Sequence, residues 1–561
     1  MSSSWRLTGG RASMARFGQM ARLKSTEGVG WEGGGRIAPA VAVVAIAVTA
    51  VFLRVRHLAW GLADGQFFPD EIIWVTRARA FVPLSWHSFA VDFSLTYPAL
   101  YGYLVGLATA LAHAVGATRP PPEFFLDIVL IARLLSALLG VVDVALVGLV
   151  AARMYSPRIG LAAAALMAVL PLEAIQVHYA SVDLLLMTCF TLTLLACHAL
   201  ALRGTVPRAA LAGAGAGLAF ATKQTGLAAL ALAGLPLFER MRRERSPVRI
   251  GLLVATVLGG FAAAVLVACP PCVLEASTML TAMGWLHSLV ASGHFLNNRV
   301  VPSLGWYGRP YLYELVASLP YALGWPLYAL ALVGVVVALW RHELADRVLL
   351  GALIPYFLVI GGSSTTFPRY LMPLFPGLVI LAARAIVGFS RWSRARAAVL
   401  AGVLGYSLVF AASQIETISF AQQKEVAEWI ATVRPPPTAG ARGTRVAYPK
   451  TLGAYFALAG FLRRAGLTPL AADDGHWFDD EADAFVLPEW LEIAIRREPP
   501  DNPMARDLDR LTSGQAGYRE GARWTTRYFQ RSFYASLDPG LLPGLGSYGF
   551  TVYLRGSPKN G

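Results

Sequence analysis

Charge is what this sequence has least of. Only 15% of its 561 residues are Asp, Glu, Lys or Arg, where a water-soluble chain of that size carries about 25%. Lysine is almost missing, five against 43 arginines. Cysteine stands at four, too few for a scaffold built on disulfides. No Walker, HExxH, GxSxG or zinc-cluster motif occurs, so those signatures of nucleotide, metalloprotease and hydrolase chemistry are absent. The net charge of +14 comes without a basic-aromatic module, which argues against nucleic acid as a partner.

What is there instead is apolar: 56% of the residues are hydrophobic. They fall in runs at 37–53, 97–115, 126–150, 159–175, 183–202, 209–222, 225–238, 249–268, 315–339, 347–361, 371–389 and 398–414. Runs of that kind are the mark of membrane-crossing helices. The fold class expected is an α-helical polytopic membrane protein of roughly 11–13 transmembrane helices, followed by a soluble α/β domain. Three regions follow: a basic, Gly/Ser-rich tail at 1–36, a membrane domain at 37–415, and a C-terminal domain at 416–561.

Basic residues collect between the runs. Arg240, Arg242, Arg243, Arg245 and Arg249 form one group, and Arg391, Arg394 and Arg396 another. By the positive-inside rule these loops and the tail are cytoplasmic. Outer loops then fall at 54–96 and 269–312, with the C-terminal domain outside. Arg54, Arg56 and His57 break the rule and need a partner or a lipid phosphate. Six apolar segments between 97 and 238 must cross an odd number of times. Either 97–150 nets one crossing, which puts Lys223 and the 176–183 loop outside, or 209–238 is one helix and that loop lies inside.

Ionisable groups beside apolar spans mark candidate sites. FFPDEIIW places Asp70 and Glu71 in the first outer loop among Trp60, Phe67, Phe68, Trp74, Phe81 and Trp86, with Arg77 beyond. A carboxylate there can act as general base, or Asp70 can cap a helix after Pro69. VHYASVDLLL brings His178 and Asp183 to the mouth of a span, where Asp183 also fits a cap. Lys223 in AFATKQTGLAAL is the only lysine between Lys24 and Lys424, a compact cation suited to a phosphate or a carboxylate. In TTFPRYLMPLFPG, Arg369 can fork a phosphate, with Tyr370 beside it. Arg133 and Asp143 read as an internal charge pair. GAGAG at 213–217 reads as close helix packing, Cys269 and Cys272 as a local disulfide or inert thiols, and the acidic run 473–483 as a solvated loop.

FFPDEIIW, TYPALYGYL, ARLLSALLG, HYASVDLLL, ATKQTGLAAL and FPRYLMPLFPGL occur in that order. This order resembles the GT-C glycosyltransferases that use polyprenyl-phosphate sugars, in the protein O-mannosyltransferase and aminoarabinose transferase group, over residues 37–415. The resemblance implies a sugar donor on a polyprenyl phosphate, a lipid, glycan or protein acceptor, and catalysis at Asp70 with Glu71. It implies substrate or phosphate contacts from Arg77, His178, Asp183, Lys223, Arg369 and Tyr370, with Arg133 matching a family arginine. Tyr97-Pro98 stands where the aminoarabinose branch has Lys-Pro, which argues against that substrate. No DxD is present within residues 37–415, the span of the resemblance, so no cofactor is expected, and His294 is a further candidate for the sugar. The protein is expected in a bacterial inner membrane with its N-terminus inside. The competing readings are a transporter or flippase of lipid-linked saccharides, which should show inverted repeats, and a non-enzymatic assembly or sensor protein.

Overall fold

A computed structural model describes residues 37–68, 70–89, 97–243, 246–291, 310–363, 367–389, 393–419, 421–434, 443–450, 457–473, 475–479, 481–526, 528–537 and 549–556. Contacts divide the chain after Val48. The first unit contributes only the start of the Ile37–Val55 helix, and the rest of this account concerns Thr49 to Gly561.

Among the described residues, five helices are long and apolar enough to cross a membrane: Phe124–Met154, Val182–Leu202, Pro247–Ala268, Pro368–Gly388 and Ser393–Ile415. Tyr311–Leu323 and Trp325–Arg341 pass the same test as one span, bent by 119°. The bend falls at Gly324, whose φ of +77° only glycine adopts without strain. Pro39–Val55, Leu100–Ala114 and Pro157–Ala168 are apolar but shorter, as are Val206–Thr222 and Leu344–Ile360.

Two contacts fix how residues 97–150 run. The Tyr101 hydroxyl donates to Ala132 O at 3.2 Å and lies 2.9 Å from Ser136 Oγ. Twelve residues on, the His113 ring lies against Phe124, 6.0 Å between centroids. The Leu100–Ala114 helix therefore folds back along the first half of Phe124–Met154. The next pair is held by small residues. A Cβ at Gly213 would lie 2.0 Å from Val257 O, and one at Gly217 2.5 Å from Phe261 O. Glycine thus lets Val206–Thr222 press against Pro247–Ala268 backbone to backbone, the packing expected of GAGAG.

The basic residues at and just after the end of the first helix have protein partners. Arg54 is wholly buried, ion-pairs with Glu173 and donates to Ala50 O, Ala168 O and Met167 O. Arg56 and His57 reach Glu416 at 2.6 and 3.1 Å. Cys269 and Cys272 form a disulfide.

After the Ala421–Val433 helix the chain builds a five-stranded sheet. Its strands are β1 (Arg445–Pro449), β2 (Thr468–Ala472), β3 (Ala484–Pro488), β4 (Tyr518–Trp524) and β5 (Phe550–Arg555), in the order β2-β1-β3-β5-β4. The first three are parallel, and β5 runs antiparallel between β3 and β4. β3, read as AFVLP, is buried along its whole length, as a central strand covered on both faces should be. Within the acidic run, Asp473 pairs with Lys450 at 2.7 Å and the Asp483 carboxylate accepts from Arg445 N at 2.8 Å.

Candidate active site

Asp70 stands at the head of the Glu71–Arg79 helix, yet its side chain makes no capping bond. Glu71 instead accepts from Phe68 N, in the chain before the helix, at 2.8 Å. Successive side chains on a helix diverge by about 100°, so the two acids part company. Glu71 turns inward and is wholly buried. It accepts from Arg133 Nε and Nη2 at 2.7 and 2.8 Å and from Ala180 N at 3.1 Å. Arg133 completes its set with Leu58 O at 3.1 Å and Trp60 O at 2.7 Å, and lies 4.3 Å from the Trp60 ring centroid. The expected Arg133–Asp143 pair is therefore not formed. The two residues share one helix, where ten positions separate them by about 15 Å. Asp143 takes a bond from Thr188 Oγ1 at 3.0 Å instead.

Asp70 turns outward, its side chain 43% exposed, and meets Arg369 Nη2 at 3.3 Å. Arg369 Nε lies 3.9 Å from Asp183 Oδ2, and Lys223 Nζ donates to Asp183 Oδ1 at 2.6 Å. The result is a chain of alternating charge, Asp70–Arg369–Asp183–Lys223, open at Asp70 and closed at Lys223. Two aromatic rings wall it: Lys223 Nζ lies 4.3 Å from the Tyr370 centroid and 5.9 Å from that of Tyr97. Such ring contacts hold a desolvated cation in place.

Local sequence explains each placement. Ser181 caps the Val182–Leu202 helix by accepting from Asp183 N at 3.2 Å, which leaves the Asp183 carboxylate for Lys223. At Lys223 the Val206–Thr222 helix ends in an extended residue, φ −153° and ψ 144°. The chain then closes a tight turn with Gly226 N on Lys223 O at 2.8 Å. A Cβ at Gly226 would lie 2.0 Å from Ala219 O, so this turn demands glycine. Arg369 and Tyr370 open the 3-10 helix Pro368–Leu374, and the Tyr356 hydroxyl donates to Tyr370 O at 2.9 Å.

Asp70, Asp183, Lys223, Arg369 and Tyr370 are thus together. Arg77 is elsewhere: its two terminal nitrogens donate to Tyr97 O at 2.7 Å and Pro98 O at 3.1 Å, so it sets the backbone behind the Tyr97 ring. His178 is buried, with its ring nitrogens 2.8 Å from Ala174 O and 2.7 Å from Arg56 O. Its own carbonyl accepts from Trp60 Nε1 at 2.9 Å, which ties it to the framework around Glu71. Burial pulls the His178 pKa down to about 4 against those two acceptors. Tyr97 was legible only as a departure from a Lys-Pro pattern, yet its ring forms a wall of the site. Among the described residues no group of three His, Cys, Asp or Glu side chains is placed to hold a metal ion. His294 lies outside the described residues.

A comparison with curated proteins finds no match. Among solved structures, the archaeal oligosaccharyltransferase AglB from Archaeoglobus fulgidus, in complex with an inhibitory peptide and a dolichol-phosphate, is 12% identical with a TM-score of 0.48. The match covers 93% of this chain and 75% of that one. ArnT from Cupriavidus metallidurans bound to undecaprenyl phosphate is 13% identical, covering 92% and 98%, with a TM-score of 0.45. The S. cerevisiae protein O-mannosyltransferase Pmt1-Pmt2 complex bound to the sugar donor is 18% identical, covering 43% and 34%, with a TM-score of 0.33. Residues 127–273, the stretch that supplies Arg133, His178, Asp183 and Lys223, match the family described as dolichyl-phosphate-mannose-protein mannosyltransferase, a GT-C glycosyltransferase family, in agreement with the motif order.

Proposed function

We propose that this protein is a membrane glycosyltransferase that moves a sugar from a polyprenyl-phosphate donor to an acceptor hydroxyl on the outer side of the membrane, with inversion. The observation that carries this reading is the open carboxylate of Asp70 at 3.3 Å from Arg369, with Lys223 held by Asp183 behind it. Asp70 takes the proton of the acceptor hydroxyl as its oxygen attacks the anomeric carbon. The bond from that carbon to the phosphate oxygen breaks, and the electron pair leaves with the lipid phosphate. Charge then grows on the phosphate, and a cation fixed beforehand stabilises it without reorganising. Arg369 and Lys223 are those cations. Asp183 holds Lys223 at its post, and Tyr97 and Tyr370 keep water from it. Glu71 contributes by orientation: locked on Arg133, it fixes the first turn from which Asp70 projects.

The test uses mass spectrometry of the cell envelope with and without the gene, to identify the sugar-bearing product. Asp70→Asn in the full chain is then expected to lower that product at least about 100-fold, while insertion and thermal midpoint stay unchanged. Undiminished product from that variant overturns the assignment.

A further inference from the structure

The Glu71–Arg79 helix is anchored at its start by Glu71, and the chain that leads into it has its own fixings. Residues 56–68 run between two bodies. On the membrane side, Arg133 takes the carbonyls of Leu58 and Trp60, and Trp60 Nε1 donates to His178 O. On the other side stands the C-terminal domain with the end of the helix before it. Gly61 at φ +74° and Gly65 at φ +67° bend 61–66 into a compact turn, closed by Gln66 N on Gly61 O at 2.9 Å. That turn presents Asp64 to the domain. Arg464 Nη1 donates to Asp64 O at 2.9 Å, and Lys424 Nζ reaches Asp64 Oδ1 at 3.4 Å. Gly460 packs on the amide of Gln66, where a Cβ would stand 3.3 Å from Nε2. Glu416 holds Arg56 and His57, while Trp60 and Phe68 share one apolar core with Val426, Phe461 and Leu462.

We propose that the C-terminal domain positions the base: it clamps the 61–66 turn, with Arg464 and Lys424 as the positioning residues. This rests on the reading of Asp70 as the base. Among the described residues Asp70 has one charged partner, Arg369, so its place relative to Asp183 depends on both ends of the segment that carries it. The membrane helices fix the Glu71 end, and the domain fixes the Asp64 end. A loose turn lets Asp70 swing away from Arg369 with the rest of the fold intact.

The probe is a thiol. Cys189 and Cys197 are buried and Cys269 is bonded to Cys272, so Asp70→Cys in the full chain gives an outward-facing thiol for a water-soluble maleimide. Arg464→Ala with Lys424→Ala in that background is expected to change the labelling rate roughly threefold or more. Arg464→Lys is expected to restore it. A reporter at Trp86→Cys, where the native side chain is 91% exposed, is expected to label at an unchanged rate. Should the double variant fold poorly, Gly460→Ala alone presses on Gln66 and is expected to move the same rate. Equal rates at Asp70→Cys in all these chains overturn the proposal. In chains that retain Asp70, the double variant is expected to lower sugar transfer at least threefold, roughly in step with labelling. Labelling that changes while transfer does not defeats the base reading and spares the clamp.

Discussion

At the residue scale, the decisive facts are which acid faces which cation. That DEII would send its two carboxylates to different faces follows from their adjacency, because successive side chains at a helix start diverge. That Arg133 would serve the second of them is invisible in the sequence, since 62 residues separate it from Glu71. His178 shows the opposite case, a residue of suitable chemistry whose surroundings assign it to structure. Its pKa is lowered to about 4 by burial, against an ordinary value near 6.5. The unfolded chain therefore binds a proton between pH 6.5 and 4 that the folded chain refuses, and stability falls as pH drops through that window. The full effect is on the order of 3 kcal/mol. Thermal midpoints of the detergent-solubilised protein are expected to fall from pH 7 to pH 4, and His178→Asn to flatten that slope. A variant with the native slope assigns the acid sensitivity to other groups.

At the element scale, the long spans were legible because runs such as 126–150, 183–202, 249–268, 371–389 and 398–414 are long enough to cross a bilayer. Their breaks were only half legible. The end of the Val206–Thr222 helix at Lys223 depends on Gly226 folding under Ala219, a contact no periodicity announces. The doubling back of Leu100–Ala114 depends on Tyr101 and Ser136 meeting. The small-residue stripe was legible, since Gly213, Gly215 and Gly217 with Ala212 and Ala216 leave one helix with little but backbone to offer. Gly213→Val brings methyl groups to where even a Cβ lies 2.0 Å from Val257 O. The two helices must then separate, at a cost of about 1–3 kcal/mol or more. The expected outcome is a lower thermal midpoint together with weaker sugar transfer, because Lys223 rides on the end of the displaced helix. Gly251→Val, on the same helix pair where nothing lies within 4 Å, is expected to leave both unchanged.

At the scale of the whole molecule, the sequence marks a soluble domain after residue 415 but not how it attaches. The attachment is aromatic and comes from a late segment, the Arg531–Leu537 helix. Tyr534 is wholly buried, stacked on Phe410 with 5.0 Å between centroids and 4° between planes. Its hydroxyl donates to Pro320 O at 3.3 Å, and its ring meets Tyr321 edge-on at 5.4 Å. One side chain thus ties the C-terminal domain to both the Ser393–Ile415 helix and the bent helix pair. Tyr534→Ala removes the ring and leaves a hole, a loss of about 3–5 kcal/mol at that contact. Tyr534→Phe keeps the stack and loses only the hydroxyl's contacts with Pro320 O and the Tyr406 hydroxyl, about 1 kcal/mol each. β3 and β5 lie in a core that continues onto Trp60, Phe68 and Ile415, but their pairing with each other and with β1 and β4 does not involve Tyr534, so the alanine variant is expected to undock the domain without unfolding it. Limited proteolysis of the solubilised protein is then expected to release a protease-resistant C-terminal fragment from Tyr534→Ala several-fold faster than from Tyr534→Phe or the native chain. Equal release from all three means that the grip on residues 56–68 suffices to hold the domain, and that the aromatic contact only follows it.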